Sequence, residues 1–156
     1  MSRRSATEMK SWICLCAALL AGCDGIPKDP GGTLHRVRAE GQFRVGLIAG
    51  DAARPNADRE QAFLRRVASA AGARAVTVQG AAEPLLEDLE HGRIDLVVGE
   101  LAPDSPWAKR VTILPPLDVE SRGAQRIELS AMAANGENAW IMLLERSARH
   151  VTGTTR

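Results

Sequence analysis

The side chains able to do chemistry are few, and most stand just behind short apolar runs. Glu100 and Asp104 are carboxylates four residues apart, following Leu96-Val97-Val98. Such a pair could serve acid and base steps, but a solvated rim is the commoner explanation of it. Asp51 and Arg54 follow the run that ends at Ala49, Gln79 follows Val76-Thr77-Val78, and Trp107 comes three residues after Asp104. His35, His91 and His150 fall on separate elements, without the spacing of metal ligands. His91 stands where a helical pattern stops, a place where a cation suits the helix dipole. Gly46, Gly50 and Gly99 do not form a phosphate loop, and no serine sits in an elbow sequence. No catalytic residue, metal or cofactor is therefore expected. The candidate ligand contacts are Asp51, Arg54, Gln79, Glu100, Asp104 and Trp107.

All three cysteines, Cys14, Cys16 and Cys23, lie within the first 23 residues. Arg3, Arg4 and Lys10 form a basic start, Trp12 to Leu20 an apolar run of about nine residues, and small residues follow, the layout of an export signal. That run falls short of the roughly 20 residues that span a bilayer. Leu20-Ala21-Gly22-Cys23 resembles the lipobox of bacterial lipoproteins, which implies cleavage after residue 22 and a lipid on Cys23. A buried N-terminal helix is the alternative. Cleavage removes Arg3, Arg4, Lys10 and Glu8, so the 20 basic and 19 acidic residues become 17 and 18. A net charge near zero gives no case for nucleic acid, and five aromatic residues without a tyrosine make no stacking platform. With Cys23 lipidated, no thiol is left for a disulfide, a metal or a nucleophile. Asp24 after the lipid site resembles an inner-membrane retention signal, or is simply an acidic spacer. The expected location is the periplasmic side of a bacterial envelope.

Residues 23–32, with Asp24-Gly25-Ile26-Pro27-Lys28-Asp29-Pro30-Gly31-Gly32, read as a Pro/Gly-rich tether. The folded part is expected over 33–151, followed by a disordered tail, 152–156. Thr33 is a candidate N-cap of a short helix that Gly41 stops. Phe43 to Ala49 is a first strand, Ala57 to Ala71 a helix with Phe63, Leu64, Val67 and Ala71 on one stripe, and Ala75 to Val78 a second strand. Leu85, Leu86 and Leu89 mark another helix, and Ile94 to Val98 a buried strand that Gly99 ends. This βαβαβ order predicts an α/β fold: one doubly wound, mostly parallel sheet with helices on both faces. Ligands of such a sheet bind beyond the carboxyl ends of the strands, where the candidate residues fall.

Two phrases carry a family resemblance. Thr33-Leu34-His35-Arg36-Val37 with Gly41-Gln42-Phe43-Arg44-Val45-Gly46-Leu47 resembles the mature start of family-3 periplasmic solute-binding proteins of ABC importers, and Ala82 to Leu101 resembles their phrase around a central strand. The resemblance covers roughly residues 33–117 and implies lobe one of a type II periplasmic binding protein. It also implies a small solute and a membrane transporter as partners. Departures from the family pattern bear on function. Trp107 stands where amino-acid receptors carry a carboxylate-binding arginine, and an indole cannot make that clamp. Ala52-Ala53-Arg54-Pro55 replaces a loop whose aromatics pack on ligand. Family members have two lobes that close on a hinge, whereas residues 118–125 read here as a short polar connector.

Ile127 to Ala133 is then a further strand. Asn135 to Trp140 opens a helix with Trp140, Ile141, Leu144 and Ala148 on one face, unless Asn135-Gly136 closes a hairpin instead. The expectation is a lipid-anchored, non-catalytic binding or accessory module reduced to one lobe, partnered by another envelope protein. The alternatives are a working small-solute receptor with a non-standard ligand and, from another class, an envelope hydrolase. Trp107 is expected either to stand exposed as a partner's anchor or to fold down onto the sheet.

Overall fold

The computed structural model describes residues 29–50, 57–102, 104–123 and 125–153. Cys23, Asp51 and Arg54, the export signal and most of the tether lie outside them. Helix α1 (Thr33–Glu40) ends at Gly41, whose φ of 66° is the left-handed turn that turns the chain into strand β1 (Gln42–Ile48). Helix α2 (Ala57–Ala71) buries Phe63, Val67 and Ala71 at helical spacing. Strand β2 (Arg74–Gly80), helix α3 (Ala82–Glu90) and strand β3 (Leu96–Leu101) follow. A 3-10 turn over Pro106–Lys109 leads to the short strands β4 (Val111–Ile113) and β5 (Asp118–Arg122), then the long β6 (Gln125–Ala134) and helix α4 (Asn138–Gly153).

The sheet order is β2-β1-β3-β6-β4, with β5 also paired to β6. The pairs β1–β2 and β1–β3 are parallel, and β6 is antiparallel to β3, β4 and β5. Five strands therefore share one direction and β6 alone opposes them. Side chains alternate across the sheet and build two cores. Phe43, Val45, Leu96, Val98, Leu129 and Ala131 face α1, α2 and α4, while Val97, Val111 and Met132 meet Leu85, Leu86 and Leu89 of α3.

Three elements differ from expectation. Strand β3 begins at Leu96, because the chain bends at Asp95, whose N–H donates across to Arg44 O of β1 at 2.9 Å. It continues through Gly99 to Leu101, where the glycine serves packing: a Cβ there would lie 2.4 Å from Ile48 Cβ. The polar connector is itself strand β5, in a hairpin with β6 that closes between the register partners Arg122 and Gln125. β4 and β5 lie along the same edge of β6, separated by Leu114-Pro115-Pro116-Leu117. Two of those residues, Leu114 and Leu117, still donate to Ala131 O and Leu129 O. Asn135-Gly136 forms the turn from β6 into α4, with Gly136 at φ 86°, so no hairpin forms there. Helix α4 runs through Thr152 and Gly153, two residues beyond the expected limit of the lobe. Among the described residues no helix is long and apolar enough to cross a membrane.

Candidate functional site

The carboxyl edge, where ligands of parallel sheets bind, carries the described candidates, and the sheet divides them. Gln79 pairs in register with Leu47, and Glu100 with Leu129, which puts both on the side-chain row of the first core, toward α2. Trp107 packs on the opposite face, against the α3 core with Ile48, Leu101 and Ile113. Gln79 and Asp104 are exposed, and Glu100 and Trp107 are partly buried. Of the two roles open to Trp107, the structure shows the packed one. The Arg110 guanidinium lies 4.3 Å above the ring centroid and also pairs with Glu90 at the end of α3. The indole is thus held between a cation and a core and offers neither face freely. Arg110 holds the Glu90 carboxyl below its usual range. Ser105, whose side chain accepts from the Trp107 N–H at 3.4 Å, starts this turn. Among the described residues no cluster of His, Cys, Asp or Glu could hold a metal ion.

The strongest polar cluster lies at the other end of the strands, and the sequence reading passed over it. Asp95 is 3% exposed. Its carboxylate accepts from the Arg44 N–H at 2.7 Å, from Arg44 Nε at 3.1 Å and Nη2 at 2.6 Å, and from Arg36 Nη2 at 2.5 Å. Burial pushes this carboxyl up, but the hydrogen bonds from Arg44 and Arg36 outweigh it and hold the group below its usual range. The Asp95 carbonyl accepts from Trp140 Nε1 at 2.7 Å, and the Trp140 ring meets Phe43 edge-on at 5.7 Å. One residue therefore joins α1, β1, β3 and α4. A carboxylate inside an apolar run was the available signal, since a buried charge needs partners.

Beside it, Glu137 accepts from the Gly31 N–H at 2.5 Å and the Thr33 N–H at 2.9 Å, tying the end of the tether to the start of α4. Burial, a hydrogen bond with Glu137 and the Glu137 charge push Asp29 up to about 6. These two carboxyls share a proton below that pH.

No family model matches the chain, and no curated protein matches its sequence. Solved structures do match. The arginine-bound form of domain 1 of TmArgBP, the ArgBP of T. maritima, aligns at TM-score 0.61 with 15% identity, over 74% of this chain and 97% of that one. This chain has the fold of a solute-binding-protein lobe. An ancestral cationic amino acid solute-binding protein aligns at TM-score 0.64 with 9% identity, over 78% of this chain and 94% of that one. The substrate-binding protein AbpA of an amino acid ABC transporter from Streptococcus pneumoniae, bound to L-arginine, gives 0.60 with 6% identity, over 77% and 92%. At such identities the likeness is one of fold. The same ancestral protein is also described as an amino-acid-binding precursor of cyclohexadienyl dehydratase.

Proposed function

We propose that this chain is a non-catalytic, single-lobe binding module held at the bacterial envelope by a lipid on Cys23, and that a protein partner completes its carboxyl edge. The observation that carries this reading is the β5–β6 hairpin. The chain turns back between Arg122 and Gln125, at the place where the family resemblance puts the passage to a second lobe. The described residues then form one wall of a groove. In water, hydrogen bonds and ion pairs from one wall contribute little net affinity for a small solute. The division of Gln79 and Glu100 from Trp107 across the sheet supports a broad contact surface over a convergent pocket.

A second reading has its own support. The T. maritima structure is a single domain in arginine-bound form, so a lone lobe of this fold can hold a cationic amino acid. The acidic rim residues Glu100 and Asp104 suit a guanidinium, and an envelope receptor for such a solute would serve an ABC importer. Calorimetric titration of the full chain with L-arginine and other amino acids separates the two. No saturable binding up to millimolar ligand is the outcome expected of a partner-binding module. Saturable micromolar binding, lost in Glu100→Gln, would replace it by the receptor. The anchor is tested separately: fatty-acid labelling is expected in the wild type and absent in Cys23→Ser, and an unlabelled wild type removes the envelope claim.

A further inference from the structure

A concavity among the described residues lies away from the carboxyl edge. It is a groove of about 610 Å³ between α1, α2 and α4. Arg38 from α1, Arg66 from α2, and Arg146, Arg149 and His150 from α4 line it, and no acidic side chain does. Arg38, Arg66 and Arg146 are exposed and have no ion pair or hydrogen bond among the described residues, while Arg149 meets Glu145 at 3.6 Å. Met142, half exposed on α4, adds an apolar contact at the rim. Four guanidiniums around an open groove in a chain of near-zero net charge make a local anion-binding surface.

The path of the chain says what meets this surface. It enters the lobe at Gly31 to Thr33, pinned by Glu137, and Leu34, the next residue, already lines the groove. Residues 24–28 separate Cys23 from the first described residue, Asp29. Six chain steps reach at most about 20 Å, so a lipid on Cys23 keeps the groove's rim within a few screening lengths, about 8 Å each, of the headgroups.

We infer that the arginine-lined groove between α1, α2 and α4 docks the lobe on the anionic headgroups of the bilayer that holds Cys23. Phosphate oxygens of phosphatidylglycerol accept forked hydrogen bonds from the guanidiniums, and the α3 face, with Trp107 and the exposed Val76 and Val78 of β2, is left turned away from the membrane. This rests on the lipid-anchor reading, but its test does not use the lipid.

The test is vesicle sedimentation of the full chain carrying Cys23→Ser, with Arg3, Arg4 and Lys10 changed to Gln in every sample so that the basic start adds nothing. Partition onto phosphatidylcholine vesicles containing phosphatidylglycerol is compared with pure phosphatidylcholine at low and physiological salt. A clear preference for the anionic vesicles, weakened by salt, is expected. The triple Arg38→Gln, Arg66→Gln, Arg146→Gln should lower that preference on the order of 100-fold, roughly fivefold per arginine. The control triple Arg74→Gln, Arg93→Gln, Arg126→Gln should lower it much less. Far-UV circular dichroism checks both triples. If the groove triple loses its fold, the three single substitutions replace it, each expected to give about a fivefold loss. Equal partition onto both vesicles, equal losses in the two triples, or tight binding of inorganic polyphosphate without vesicle preference would each overturn the inference. Failed fatty-acid labelling alongside intact vesicle preference would remove the anchor and leave the groove standing.

Discussion

The two ends of the sheet are built on opposite plans. At the amino end one buried carboxylate, Asp95, takes hydrogen bonds from two arginines and a backbone N–H, and its carbonyl takes another from Trp140. At the carboxyl end Gln79 and Asp104 stand in water, and the largest side chain, Trp107, is turned into the α3 core under Arg110. The difference teaches where stability and binding are kept. The amino end ties helices to strands, so the carboxyl end can vary without loss of the fold.

The strongest way to break this comparison is at the start of β3. Leu96 is fully buried in the central strand, flanked by β1 and β6. Leu96→Ala should cost roughly 2–5 kcal/mol, read as a fall in the urea midpoint at unchanged slope, and a near-neutral result would contradict the central placement. Next comes Asp95→Asn, expected to cost roughly 3 kcal/mol, since it leaves two arginines facing a neutral group; their partial exposure keeps the cost at the low end. The acid limb follows the same residue. The folded pKa of Asp95 lies below its unfolded value, so its contribution is present above about pH 4 and is lost as pH falls through the folded value. Asp95→Asn should flatten that part of the stability profile.

Smaller effects sharpen the contrast at the carboxyl end. Gly99→Ala should cost about 1–3 kcal/mol, because its Cβ would meet Ile48 at 2.4 Å. Adding Ile48→Gly, which removes the Cβ that it meets, should recover part of that clash, as a double-mutant cycle would read. Asp29→Asn should act only through pH. With the Asp29 pKa raised to about 6, its contribution is complete below the unfolded value and is lost as pH rises through about 6. The asparagine variant should lose that dependence when melting is followed from pH 5 to 8. Smallest of all, Gln79→Ala and Asp104→Ala should each stay within about 0.5 kcal/mol, which a thermal melt resolves.

Periodicity made much of this fold legible. The stripe of Phe63, Val67 and Ala71 places α2 over Ala57–Ala71, and Trp140, Leu144 and Ala148 place α4. Strand β5 was not legible. Asp118-Val119-Glu120-Ser121-Arg122 is an edge strand with only one partner, none of the positions 118–121 is buried, and no run of alternating apolar residues marks it. The start of β3 misled for a different reason: Asp95 sits in an apolar run, and its partners Arg36 and Arg44 come from 59 and 51 residues away. Local pattern cannot report a contact of that range. At the candidate site, strand ends were readable, but which face each side chain takes depends on register: Trp107 and Glu100 are only seven residues apart and are parted by the sheet.

The turn that joins β5 to β6 has a meaning for how such chains gain and lose parts. Arg122 and Gln125 are register partners, so a segment spliced between them starts and finishes about one strand spacing apart, roughly 5 Å. A folded unit whose termini lie close together fits such a gap, and the long β6 would keep its pairing with β3 on its other side. The gap between Arg122 and Gln125 would thus accept a whole domain as a cassette while the parent sheet stays in register.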